Sequence, residues 1–219
     1  MKLKIVLAGL LLFTATHLFA QQGFPFDKEV REYKHQDSLS FPKSGGILFI
    51  GASSIRFWTD LDQRFPDAPI VRRGLGGSQL WQWDAYYLPY VVFPYHPRKI
   101  FLYAGENDIA AGRSAQQVFD NFVTFYKMVK EKLPDTKIYF LSMKYSPVRA
   151  KFSDVITEAN QKIKDYISGK PDATYVDVTT VLYKPQTTQS DSSLFRPDFL
   201  HLTPKGYDKW QAALKPYVN

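Results

Sequence analysis

The sequence has 219 residues, a formal charge of +7 and no cysteine. This length is sufficient for one domain with a substantial core. The absence of cysteine excludes disulfides, thiolate catalysis and the usual cysteine-based zinc sites. The positive charge is spread along the chain without a run of lysine and arginine, so we predict no nucleic-acid partner.

Residues 1–20 have the pattern of a secretion signal. Two lysines precede an apolar run at residues 5–12 that is too short to span a bilayer comfortably, and Ala20 offers a small residue at the cleavage point. We interpret the chain as a signal peptide followed by a single domain at 21–219. The interpretation predicts a secreted or periplasmic protein without stable membrane insertion after cleavage. The alternative is an uncleaved N-terminal anchor.

Short apolar runs between turn residues alternate with helical patterns along the rest of the chain. The runs predict five buried strands, at 47–50, 69–72, 99–103, 137–141 and 174–178. The helical patterns lie at 27–40, 114–133, 153–167 and from Pro204 to about Leu214, the last capped by Thr203. This alternation predicts the α/β class: a three-layer α/β/α sandwich with a five-stranded parallel sheet of flavodoxin-like type.

Polar and glycine-rich segments follow the first three predicted strands. They are Gly51-Ala52-Ser53-Ser54, Gly74-Leu75-Gly76-Gly77-Ser78 and Gly105-Glu106-Asn107-Asp108. Ligands bind at the carboxyl ends of the strands in such sheets, so we expect these segments to meet there. The segment Asp198-Phe199-Leu200-His201, just before the final helix, can reach the same edge.

These residue types match the needs of ester hydrolysis, which are a nucleophile, a base and a carboxylate that orients the base. Ser53, His201 and Asp198 are the candidates. Ser54 competes with Ser53 by sequence alone. The G-x-S-x-G pattern of α/β-hydrolases is absent because Ile55 occupies its last position.

Each candidate also has a purely structural alternative. Ser53 suits a helix cap, Asn107 suits a turn and His201 suits a loop. The other histidines beyond the signal are weaker catalytic candidates. His35 lies in a charged helix, and His96 precedes the third strand at the opposite end of the sheet.

The segments taken together resemble the SGNH hydrolases, also called the GDSL esterase/lipase family, which carry Ser, Gly, Asn and His in ordered blocks. The matching positions are Ser53, Gly77, Asn107 and His201, with Asp198 three residues before the histidine. The resemblance spans residue 46 to the C-terminus. Two positions depart from the family pattern: Ala52 stands where the Gly-Asp-Ser-Leu motif has aspartate, and Ser78 follows the second-block glycine, where aspartate is frequent.

The resemblance implies a catalytic triad of Ser53, His201 and Asp198. It implies an oxyanion hole formed by the backbone N–H groups of Ser53 and Gly77 and by the side-chain amide of Asn107, with Gly76 as a competing donor. It also implies that neither a metal nor an organic cofactor is needed.

The predicted activity is that of a secreted serine esterase that acts through an acyl-enzyme. Its expected partner is a small-molecule or glycan ester, with acetyl groups on carbohydrate as the first choice. The alternatives are a lysophospholipase or lipid acylhydrolase, a glycan-binding protein on the same fold, and an acyltransferase. The oligomeric state stays open.

Two groups of side chains near the predicted site have ordinary structural explanations. We interpret most of the aromatic residues between Trp81 and Tyr95 as core packing, although some could form a sugar platform or an acyl pocket. Arg56, Arg72 and Arg73 are interpreted as exposed, with contact to an anionic group as the alternative. The polar loop at 180–193 is a candidate wall of the site.

Overall fold

In the computed structural model, residues 24–218 are described, and they form one five-stranded parallel sheet. The strands are β1 (Ile47–Gly51), β2 (Ile70–Gly74), β3 (Lys99–Tyr103), β4 (Lys137–Leu141) and β5 (Ala173–Val176). Their order is β2-β1-β3-β4-β5, the flavodoxin-like order, which confirms the predicted fold class. The predicted signal at 1–20 lies outside the described residues.

Four long helices cover the sheet, at positions close to those that the sequence predicts. They are α1 (Asp27–Leu39), α2 (Ala115–Lys132), α3 (Ser153–Ser168) and α4 (Pro204–Val218). Shorter helical segments lie between them, at Ser53–Arg56, Leu61–Arg64, Leu80–Gln82, Trp83–Tyr87, Leu88–Val91, Phe93–Tyr95, Glu106–Ala110, Pro147–Phe152, Thr180–Leu182 and Ser192–Leu194. Among residues 24–218, no helix is both long and apolar enough to cross a membrane.

The core has two halves because successive strand residues point to opposite faces of the sheet. Leu48 and Ile50 of β1 pack into the half that contains residues of α1, α2 and α3. Ile47 and Phe49 pack into the half that contains residues of α4. The two halves make the three layers of the sandwich.

The segment from Leu80 to Tyr95 buries aromatic and aliphatic side chains in the same half of the core. Trp83, Tyr87 and Tyr95 are buried, which confirms core packing for these three residues, whereas Tyr90 remains exposed. Helical periodicity is irregular here, and a π-helical turn at Trp83–Tyr87 interrupts it. Such turns hold one extra residue, so simple apolar spacing does not reveal them.

Arg73 corrects the expectation that all three arginines near the site are exposed. It is only 8% exposed and forms an ion pair with Asp37 at 2.5 Å. Its Nε donates to the hydroxyl of Tyr95 at 2.6 Å, and its guanidinium lies over the ring of Tyr33. Pairing permits burial of the charge, so Arg73 is a structural residue that joins β2 to α1.

Asp84, in the π-helical turn, is half-buried and has one carboxyl oxygen that is fully buried. In the described part of the chain its Oδ1 has no hydrogen-bond partner. Burial raises the pKa of Asp84 to about 8, and the nearby carboxylate of Asp108 adds to the effect. The folded protein therefore retains this proton at pH values at which the unfolded chain has lost it.

We expect Asp84→Asn to stabilise the protein at high pH. The raised pKa makes the wild-type free energy of unfolding fall as pH rises from about 4 towards 8, and a neutral asparagine removes that loss. The expected gain is close to zero at pH 4 and about 1–3 kcal/mol at pH 8, measured by urea unfolding. The exposed Asp135→Asn is the control and should change stability by less than about 0.5 kcal/mol. A gain that does not depend on pH would contradict the assignment.

Candidate active site

Ser53 is placed at the carboxyl end of β1 by a tight turn. Gly51 has a φ of 130°, and a Cβ atom there would lie 1.9 Å from the carbonyl oxygen of Tyr103, so only glycine fits between β1 and β3. Ala52 caps the short helix that follows, and Ser53 is its first residue. Backbone N–H groups at that position have no partner within the helix.

Ser53, His201 and Asp198 form a continuous chain of hydrogen bonds. Ser53 Oγ lies 2.9 Å from Nε2 of His201, and Nδ1 of the same ring lies 2.7 Å from Oδ2 of Asp198. The other carboxylate oxygen accepts the backbone N–H groups of Leu200 at 2.9 Å and His201 at 3.0 Å. The structure thus brings together the three side chains that the sequence singles out, although Ser53 and His201 are 148 positions apart in the chain.

The negative charge of Asp198 determines which ring nitrogen of His201 carries the hydrogen. Partial burial opposes ionisation, but hydrogen bonds from the backbone and ring of His201 outweigh it and hold the pKa of Asp198 well below its ordinary value. A carboxylate only accepts hydrogen bonds, so Nδ1 carries a hydrogen and donates a hydrogen bond to Asp198. In the neutral ring Nε2 is then free to accept the proton of Ser53.

The loop that carries His201 is held by its neighbours. The backbone N–H of Arg196 donates to the carbonyl of His201 at 2.7 Å, and its side-chain Nε donates to the carbonyl of Leu202 at 3.0 Å. The ring of Phe57 meets the imidazole edge-on, with 4.8 Å between centroids. The two hydrogen bonds hold the backbone of the loop, and Phe57 packs against the imidazole itself.

Ser54 occupies a different environment from Ser53. It is 1% exposed, and its hydroxyl accepts a hydrogen bond from Nζ of Lys144 at 3.4 Å. Its backbone carbonyl accepts the hydroxyl of Tyr207 at 2.9 Å. The side chain of Ser54 therefore points into the interior, whereas that of Ser53 faces the imidazole.

Asn107 and the Gly76–Gly77 turn lie at the carboxyl ends of β3 and β2. Nδ2 of Asn107 donates to the carbonyl of Ser78 at 3.0 Å, which ties the two segments together. Gly77 has a φ of 92°, a conformation that favours glycine, within a turn closed by Ser78 N–H and the carbonyl of Leu75 at 3.1 Å. Gly76 lies instead against the side chain of Arg56.

A buried charged cluster beneath Asn107 is absent from the sequence predictions. Glu106 accepts a hydrogen bond from Nζ of Lys144 at 2.8 Å and forms an ion pair with Nη1 of Arg149 at 3.2 Å. The hydroxyls of Tyr103 and Ser146 also donate to this carboxylate. Lys144 and Ser146 follow β4, as Glu106 follows β3, so the rule that locates the other site segments also locates this cluster.

The loop at 180–193 packs against Tyr145, in the segment that follows β4. The hydroxyl of Ser190 donates to the carbonyl of Tyr145, and the ring of Tyr183 stacks on the Tyr145 ring at 6.2 Å. The role of this loop as a wall of the site stays a prediction. No cluster of three or more histidine or acidic side chains within residues 24–218 is arranged to hold a metal ion.

The described residues form a parallel α/β sandwich in which Ser53, just after β1, lies 2.9 Å from the imidazole of His201. Residues 49–209 match the GDSL-like lipase/acylhydrolase family. The chain belongs to this family and is a carboxylic ester hydrolase. No curated protein sequence matches it closely enough to be called a relative.

Solved structures share the fold across nearly their whole length. A platelet activating factor candidate from Streptococcus pneumonia has 24% identity and a TM-score of 0.75, over 97% of this chain and 99% of that one. A GDSL-like lipase from Bacteroides thetaiotaomicron has 18% identity and a TM-score of 0.71, over 86% and 96%. A variant of an acetyl-xylooligosaccharide esterase from Geobacillus stearmophilus has 15% identity and a TM-score of 0.61, over 81% and 96%.

Proposed function

We propose that this protein is an exported serine esterase that removes short acyl groups, acetyl first, from carbohydrate. The observation that carries the proposal is the hydrogen-bonded chain from Ser53 through His201 to Asp198. Export rests on the leader pattern at residues 1–20 and is tested by sequencing the N-terminus of the secreted protein.

In the proposed reaction His201 takes the proton of Ser53 as Oγ attacks the ester carbonyl. Asp198 stabilises the imidazolium that forms. The tetrahedral oxyanion accepts hydrogen bonds from the backbone N–H groups of Ser53 and Gly77 and from the amide of Asn107. His201 then protonates the leaving alcohol, and the C–O bond breaks to leave an acyl-enzyme. Water adds to that ester in the second half-reaction and releases the acid and free Ser53.

The partly exposed side chains that follow the Gly76–Gly77 turn favour a polar, ring-shaped alcohol such as a sugar. Trp81 is partly exposed, and its Nε1 donates to Oε1 of Gln79 at 2.8 Å. The guanidinium of Arg113 lies over the indole at 5.2 Å. An aromatic face beside amide and guanidinium groups suits a sugar, which offers both C–H surface and hydroxyls. One protein of the same fold is named as an acetyl-xylooligosaccharide esterase.

A lipid ester is the second candidate, because one exposed apolar side chain lies in the loop from Asp198 to His201, the triad loop, and another lies beside it. Phe199 is 49% exposed beside Asp198, and Val148 is 57% exposed. The backbone N–H of Val148 donates to the carbonyl of Phe199 at 3.3 Å, so the two residues are neighbours. Such a pair could meet an acyl chain.

Acid release from a panel of esters tests the proposal. We expect faster turnover of acetylated xylo-oligosaccharide and p-nitrophenyl acetate than of lysophosphatidylcholine. The reverse order would favour the lipid acylhydrolase. Transfer of acetyl to an added acceptor sugar, in preference to water, would indicate an acyltransferase. Glycan binding without turnover of any ester would indicate a binding protein on this fold.

A further inference from the structure

The orientation of the Asn107 amide decides whether this side chain helps or opposes catalysis. Its nitrogen can donate to an oxyanion, whereas its oxygen, placed at the same point, would repel it. Nδ2 donates to the carbonyl of Ser78 at 3.0 Å, and a carbonyl can only accept. Since Nδ2 carries two hydrogens, this bond leaves one for the substrate.

Arg149 selects the same orientation from the other side of the amide. Its Nη2 donates to Oδ1 of Asn107 at 2.8 Å. A guanidinium has only donors. If the Asn107 amide were rotated, its N–H groups would face the N–H groups of Arg149, and its oxygen would face the carbonyl oxygen of Ser78. Both neighbours therefore disfavour the rotated form.

Glu106 in turn holds the guanidinium. Oε1 of Glu106 lies 3.2 Å from Nη1 of Arg149, and the two side chains are 5% and 17% exposed. Lys144 contacts the other carboxylate oxygen at 2.8 Å. Arg149 thus spans Glu106 and Asn107, which are consecutive residues, with two nitrogens of one planar group.

The segment Pro147–Phe152 that carries Arg149 also contacts the triad loop, through Val148 and Phe199. One short segment therefore contacts both Asn107, a proposed oxyanion donor, and the loop that carries Asp198 and His201. Glu106, Lys144 and Arg149 together bring two cations and one carboxylate. The excess positive charge lies next to the amide that is to face the oxyanion.

We propose that Arg149 is a positioning residue, held by Glu106, that fixes the Asn107 amide with its nitrogen toward the oxyanion. The proposal rests on the function proposed above and goes beyond it, because it assigns a role to residues that do not touch the reacting atoms. An arginine that bound substrate directly would have a different kinetic signature.

A double-mutant cycle separates these roles. We expect Arg149→Met to lower kcat for p-nitrophenyl acetate by about 10- to 100-fold with KM within about two-fold, a smaller loss than the full removal of one oxyanion donor. In the Asn107→Ala background the same change should add almost nothing, because its target is gone. Arg149→Lys should restore only part of the rate, since an ammonium lacks the planar fork. Additive losses, or a rise in KM alone, would overturn the proposal.

Arg64→Met is the matched control. Arg64 is also a largely buried arginine, 12% exposed, in ion pairs with Asp60 and Asp208. We expect it to leave kcat and KM unchanged, and thermal unfolding of both variants checks folding. A comparable loss of kcat in this control would show that the Arg149 effect is only structural.

Side-chain amide NMR signals of Asn107 give a readout independent of activity, assigned by their disappearance in Asn107→Ala. We expect two separate, slowly exchanging amide protons in the wild type and faster exchange in Arg149→Met. Identical exchange in both proteins would overturn the positioning role. If the wild type lacks Ser53-dependent turnover but the NMR difference is present, the proposed function fails and the positioning of Asn107 stands.

Discussion

Replacement of Ser53 by alanine should lower kcat for p-nitrophenyl acetate by at least about 10⁴-fold, because no acyl-enzyme can then form. His201→Ala should be similarly damaging, since Oγ would lose its base at 2.9 Å. The double variant should be little worse than either single variant, because the two groups act as one unit. Stopped-flow and steady-state release of p-nitrophenol measure these effects, with circular dichroism to confirm folding.

Ser54→Ala is the natural comparison, because it removes the same hydroxyl one residue further along the chain. We expect a loss of less than about 10-fold, because this hydroxyl faces Lys144 in the interior rather than the imidazole. A fluorophosphonate probe should add its mass to the peptide that contains Ser53 in the wild type and in Ser54→Ala, but not in Ser53→Ala. Labelling of Ser54 with unchanged activity of Ser53→Ala would reverse the assignment.

Strand positions were predictable because five buried apolar runs stand between turn residues. The strand ends were less predictable. β2 extends to Gly74, two residues beyond its predicted end, and β5 ends at Val176, two residues before its predicted end. Strand ends depend on pairing with neighbours. Gly74 belongs to β2 because it pairs with Gly51 of β1. The hydrophobic pattern of one segment contains no information about such pairing with a neighbouring strand.

The segments of the candidate site were predictable from a rule of parallel sheets, that loops at the strand carboxyl ends converge. The same rule also covers the segment after the fourth strand, where Lys144 lies, although nothing in that segment has the residue pattern of a catalytic motif. Arg149 and Arg73 were missed for a different reason. Whether an arginine is exposed or paired depends on distant partners, such as Glu106 and Asp37, and periodicity says nothing about these partners.

Removal of Lys144 should produce the largest loss of stability among these variants. Its side chain is 1% exposed and meets the 5% exposed Glu106 at 2.8 Å, so Lys144→Met leaves the carboxylate buried beside a single cation, Arg149. Removal of one partner from a buried ion pair costs about 3–5 kcal/mol. We expect a loss of that size at pH 7 by urea unfolding. The exposed Lys205→Met should change stability by less than about 0.5 kcal/mol.

The pH dependence of this loss distinguishes an uncompensated charge from a simple packing defect. In the wild type, burial opposes ionisation of Glu106, but Lys144 and Arg149 outweigh it and hold its pKa below the ordinary value of 4.5. Ionised Glu106 therefore stabilises the fold at pH values above 4.5, and this stabilisation is lost as the pH falls through its lowered pKa. Without Lys144, burial should raise the pKa of Glu106 above its ordinary value. The variant should then be more stable at low pH, where Glu106 is protonated, and lose stability as the pH rises.

The difference in unfolding free energy between wild type and Lys144→Met should consequently shrink as pH falls from 7 to 5. The double variant Lys144→Met/Glu106→Gln should recover part of the loss at pH 7 and show a flatter pH profile, because glutamine keeps the shape of Glu106 without its charge. This second variant also keeps the test decisive where the single variant folds poorly. A loss that is independent of pH and unchanged in the double variant would show that Lys144 contributes by packing alone.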